Sequence, residues 1–108
     1  MGLFDIFSKN RTGMNELVEE MRNIPEAKLI DVREPEEFAA GHIPGSINIP
    51  VSSLAMAAEA VPDKGIPVYV YCQTGIRSRH AAEILKSSGF TNVTDLGGIN
   101  AFKGALEM

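Results

Sequence analysis

The chain holds one cysteine and no tryptophan, and both scarcities constrain it. A single thiol excludes an internal disulfide, so a reducing, cytoplasmic setting is expected. One Cys and two His are too few to assemble a metal set, and no metal or cofactor is expected. Basic residues are also short, ten Lys and Arg against fourteen Asp and Glu, for a net charge of −4. That balance argues against nucleic acid, whose phosphates call for a basic surface, but leaves room for a small anion held by a local field. No apolar run approaches the ~20 residues that span a bilayer, so no membrane partner is expected.

What remains is ordinary for one soluble globular domain: 108 residues, 44% hydrophobic and 22% charged. Residues 1–13 read as an N-terminal tail and residues 14–108 as the domain. The tail starts with Met1, Gly2, Leu3, Phe4, Asp5, Ile6 and Phe7, with no basic leader and no long apolar core. It is not expected to be a signal peptide, and Ile6 stands where a myristoylation pattern wants Ser or Thr. Phe4 and Phe7 are expected to lie on the domain or a neighbour, because the segment is too poor in basic residues for strong membrane-surface binding.

Met14, Leu17, Val18 and Met21 recur at helical spacing and predict a helix over 14–21. Residues 28–32 read as a short strand. Pro35 at a first helical position, followed by Glu36 and Glu37, starts a helix that Gly41 ends. An extended piece follows over 46–49, and Ser52 or Ser53 is expected to cap a short helix reaching Ala60. Residues 62–65 form a turn. The β-branched and aromatic run of residues 68–71 predicts a central strand, with Tyr69 and Tyr71 packed on one face of it. A loop over 72–77 leads to a helix over 78–88, stopped by Gly89, with Phe90 packing back on Leu85. Residues 92–96 form the last strand, and a final helix is expected to put Ile99, Phe102 and Leu106 on one face. Alternating strands and helices predict an α/β fold, a central parallel β-sheet with helices on both faces.

Chemistry in such folds gathers beyond the carboxyl ends of the strands. The segment Cys72, Gln73, Thr74, Gly75, Ile76, Arg77, Ser78 occupies that place. Gly75 permits a turn in which successive N–H groups face inward as an anion nest, and the following helix adds its unpaired amides. Arg77 supplies a fork that matches an oxyanion. No acid lies between Lys64 and Ala82, and a cationic neighbourhood is what a reactive thiolate needs. Cys72 is therefore read as a nucleophile, rather than as a small buried hydrophobe. His42 is expected to order its turn by hydrogen bonding rather than to act as a base, and His80 to lie at the rim or on the surface. Asp31 and Arg33 are expected to pair at the end of the first strand and to act on the loop indirectly.

The 72–78 segment resembles the active-site loop of rhodanese domains, in which Gly follows the Cys by three positions and Arg by five. Residues 29–38 and 41–50 resemble the family's first signature, and residues 97–102 its C-terminal Gly-Gly signature, with Phe102 where Trp is usual. The order of the three resembles the family across residues 14–106. The resemblance implies a rhodanese-like fold and thiosulfate sulfurtransferase activity through a Cys72 persulfide. The donor would be a small anionic sulfur compound, held by Gln73, Thr74, Gly75, Ile76, Arg77 and Ser78. The acceptor would be a thiol, a protein thiol or cyanide. A sulfur-carrier or regulatory module relaying the persulfide to a partner protein is the alternative. Related cysteine phosphatases have a Cys-x5-Arg loop, whereas Cys72 to Arg77 is Cys-x4-Arg, a ring better suited to sulfur than to phosphate. With one thiol in the chain, the acceptor has to come from outside.

Overall fold

The computed structural model describes residues 13–108. The expectations for Phe4 and Phe7 lie outside the described residues. Four strands form one all-parallel sheet: β1 (Lys28–Asp31), β2 (Ser46–Asn48), β3 (Val68–Cys72) and β4 (Val93–Gly98), in the spatial order β2-β1-β3-β4. The two inner strands explain the long apolar reading of residues 68–71, since all five residues of β3 are buried. The edge strands β2 and β4 are only partly covered.

Side chains alternate across β3, and each face has its own core. Val68, Val70 and Cys72 join Ile30 and Val32 against Leu54, Ala57, Ala81, Ala82 and Leu85. Tyr69 and Tyr71 face the other way with Leu29, against Met14, Val18 and Met21 of α1 (Met14–Arg22). Helices therefore cover both faces, as the element order predicts. Each tyrosine also satisfies its hydroxyl. Tyr69 donates to Glu20 Oε2 at 3.0 Å, while the Tyr71 hydroxyl accepts the Ile43 N–H at 3.1 Å and lies 3.1 Å from Ser46 Oγ.

The helix α2 (Pro35–Ala40) has Pro at its start, as expected, and a reciprocal capping box between Glu34 and Glu37. The cap expected from Ser52 or Ser53 is not made. Pro50 precedes a 3-10 helix over Val51–Met56 that runs into α3 (Ala57–Ala60), with no side-chain cap. The Val51 N–H reaches Val32 O, just past β1, at 3.2 Å, and Ser53 N–H bonds Pro50 O at 2.8 Å in the three-residue spacing of this tighter winding. The helix after β3, α4 (Ile76–Ser87), begins two residues earlier than the sequence suggests. Its far end matches expectation, with Gly89 N–H bonded to Lys86 O and Phe90 N–H to Leu85 O, each at 3.1 Å.

The expected final helix is absent. Ile99–Ala101 makes one 3-10 turn, and Phe102 is already extended. The chain then returns to pair with His42, exchanging two 2.8 Å backbone hydrogen bonds between His42 and Glu107. Ile99 is buried and Phe102 half-buried, but Leu106 is exposed. Among the described residues, no helix is long and apolar enough to cross a membrane.

Candidate active site

Cys72 is the last residue of β3, so an inner strand fixes its backbone. Only residues 73–75 separate it from α4, because Gly75 serves as the N-cap in a left-handed conformation, φ 104° and ψ −9°. A side chain there would be strained, whereas glycine turns the backbone straight into the helix. The turn folds the loop over the cysteine, and the Gly75 N–H donates to Cys72 Sγ at 3.0 Å.

Gly98 supports the loop from below. A Cβ on it would stand 2.5 Å from Gln73 O and 2.7 Å from Thr74 Cα. The loop backbone thus lies directly on the Gly-Gly segment at the end of β4. Ser78 ties the two together, since its buried hydroxyl lies 3.2 Å from Gly75 O and 3.3 Å from Gly97 O.

Burial pushes the Cys72 thiol up. That push is outweighed by the polar groups facing the sulfur, the Ser78 side chain first and then the backbone N–H groups of Ser78, Gly75 and Thr74, so its pKa falls below the usual 9.0. Of the loop amides, the Gly75 N–H is the one that bonds the sulfur directly. Cys72 is also fully covered, at 0% exposure, and neither the hollow beside Pro50 and Met56 nor the one beside Met14 and Lys103 is lined by it.

The expected site residues divide by role. Thr74 and Gly75 approach Cys72 through their backbones, and Ile76, at 69% exposed, turns its side chain to solvent. The Gln73 side chain spans two neighbours instead. Its carbonyl accepts from Arg33 Nη1 at 3.0 Å, and its amide donates to Asn100 Oδ1 at 2.7 Å. Arg33 is itself buried at 4% exposure. It meets Asp31 through Nε–Oδ1 at 3.0 Å and Nη2–Oδ2 at 2.7 Å, and also donates to Gly41 O at 2.7 Å. The expected ion pair at the end of β1 is thus present and bound to the loop through Gln73. His42 orders its turn as expected: Nδ1 lies 2.8 Å from Phe38 O, and the ring stacks on Phe38 at 3.7 Å. His80 is exposed.

Arg77 differs from expectation in its partner. Its guanidinium is held by Glu37, with Nη1–Oε1 at 2.7 Å and Nη2–Oε2 at 3.0 Å. The sequence reading placed Glu37 only at a helix start. Arg77 holds its carboxyl at about 2 by hydrogen bonding, against opposing burial and with help from the Glu34 N–H. Asn100 and Gly98 were likewise not singled out, and both act on the loop from the C-terminal signature.

A thiol at the carboxyl end of a parallel inner strand, directly before a tight glycine turn into a helix, defines an α/β protein with its cysteine at the edge where such folds gather their ligands. The chain belongs to the Rhodanese-like domain family, whose sequence profile it matches over residues 14–105. It is 46% identical over 83 residues to the uncharacterized protein YqhL of Bacillus subtilis, covering 75% of this chain and 64% of YqhL. It is also 46% identical over 71 residues to the thiosulfate sulfurtransferase PspE of Escherichia coli, covering 65% of this chain and 68% of PspE. A solved rhodanese with anions from E. coli superposes with a TM-score of 0.71 at 40% identity, covering 75% of this chain and 96% of that one. The chain thus spans about two thirds of the length of these two curated relatives.

Proposed function

We propose that this protein transfers sulfane sulfur from thiosulfate, or a similar small anionic donor, to an external thiol or cyanide. The observation that carries the reading is the hydrogen bond from Gly75 N–H to Cys72 Sγ, within a set of donors that lowers the thiol pKa. In the first step the Cys72 thiolate attacks the outer sulfur of thiosulfate. The donor's S–S bond breaks, sulfite leaves with the electron pair, and Cys72 carries a persulfide. An acceptor thiolate or cyanide then attacks the outer sulfur, giving an acceptor persulfide or thiocyanate and restoring the Cys72 thiolate. Amides of residues 74, 75 and 78 stabilise the anionic sulfur throughout, and no base is required. Arg77 meets the donor's oxyanion once released from Glu37. Asp31, Arg33 and Gln73 hold the loop in place.

The likeness to PspE supports this substrate class. The lone cysteine also suits a carrier that passes its persulfide to a partner protein's thiol, and such a role uses the same chemistry. A reducing cytoplasm suits either. Incubation with thiosulfate is expected to add the mass of one sulfur atom to the intact chain, and Cys72→Ser to abolish both the adduct and thiocyanate formation. Turnover retained in that variant sinks the assignment. Discharge of the loaded protein by a protein thiol but not by small thiols selects the carrier.

A further inference from the structure

The fork of Arg77 that would receive an anionic donor is already filled. Both terminal nitrogens meet Glu37, at 2.7 and 3.0 Å, in the bidentate arrangement an oxyanion would also take. The carboxylate is seated by its own helix, because the Glu34 N–H donates to Glu37 Oε1 at 2.9 Å. The two side chains keep 38% and 33% of their surface exposed, so an anion arriving from solvent reaches the pair. A bidentate pair open to solvent can be contested by another anion that offers the same two oxygens. Arg77 sits in the first turn of the helix whose N-cap, Gly75, bonds the sulfur, so the pair lies at the same helix start as Cys72.

We propose that Glu37 is a positioning residue that holds Arg77 back from incoming anions and so sets the charge selectivity of the Cys72 site. In the resting protein the carboxylate cancels the guanidinium. A donor with two charges displaces it and gains the fork, while a singly charged or neutral compound meets a closed pair. Discrimination thus comes from the strength of the competitor on Arg77 rather than from the shape of a pocket. This inference rests on the reading of Cys72 as the reactive thiol and of Arg77 as the cation that faces the donor.

The lone cysteine allows a test that does not depend on sulfur transfer. Iodoacetate and iodoacetamide alkylate the same thiol, one as an anion and one neutral, so the ratio of their rates reports how the site treats charge. Glu37→Gln removes the charge while leaving a side chain that serves the capping box. In the full-length protein this variant is expected to raise the iodoacetate-to-iodoacetamide ratio about fivefold at low salt, the gain shrinking at high salt. In an Arg77→Ala background the same substitution is expected to change the ratio less than about twofold, because there is no guanidinium to release. A ratio unchanged or lowered by Glu37→Gln overturns the proposal. So does an equal rise in both backgrounds, which would make Glu37 a simple repelling charge. A selective rise in a protein that takes no sulfur from thiosulfate leaves this inference standing and removes the proposed function.

Discussion

Arg33 Nη1 stands 3.0 Å from Gln73 Oε1, and this contact joins the end of β1 to the loop that follows Cys72. Asp31 meets Nε and Nη2 of the same guanidinium, and Gly41 O accepts the second N–H of Nη2. The loop after Cys72 is therefore braced by an ion pair at the end of a buried strand.

Removing one partner of that pair is costly. Asp31 is 0% and Arg33 4% exposed, so Asp31→Ala leaves a buried cation without its counter-charge. The expected loss is about 3–5 kcal/mol of folding stability, read by urea denaturation. A loss below about 1 kcal/mol shows that water reaches Arg33 and that the brace is dispensable.

Gly98→Ala tests the close approach beneath the loop. Its Cβ would meet Gln73 O at 2.5 Å and Thr74 C at 2.7 Å, both backbone atoms that cannot swing aside. The expected cost is about 1–3 kcal/mol, together with slower reaction of Cys72 as the amides are pushed out of line. Unaltered alkylation and melting in this variant show that the loop does not depend on resting there.

The thiol titration carries a sign that is checked directly. The thiolate is the reacting form, so the alkylation rate rises with pH through the pKa of the folded protein, and the midpoint is expected below the ordinary 9.0. Ser78→Ala deletes the hydroxyl donor, the largest of the influences that lower the pKa, and is expected to move the midpoint upward. A midpoint that stays put assigns the stabilisation to the backbone amides alone.

Much of this architecture was legible because it follows from local rules. The 3.6-residue spacing of Met14, Val18 and Met21 and the apolar run of β3 report burial directly. Cys72 stood out because a Gly and an Arg follow it at a strand end. What could not be read depends on contacts distant in sequence. Glu37 looked like a favourable charge at a helix start, and its pairing with Arg77 joins residues 40 positions apart. The expected helix through Leu106 had suitable spacing, but pairing of Glu107 with His42 wins the segment and leaves Leu106 outside. At residue 51 the backbone bonds Val32, and the 3-10 turn already begins there, ahead of the two serines, with no side-chain cap.

The uneven count between β3 and β4 has a consequence for the sulfur's shelter. Val70 faces Asp95 but Tyr71 faces Gly97, so Leu96 is one residue in excess, and Cys72 comes to lie opposite Gly98. An evenly matched ladder would set Leu96 beside Tyr71 and Gly97 beside Cys72, carrying Gly98 one step past the cysteine. The spare residue in an outer strand thus decides which of two glycines lies level with Cys72, and it selects Gly98, the one with no room for a side chain beneath Gln73 and Thr74.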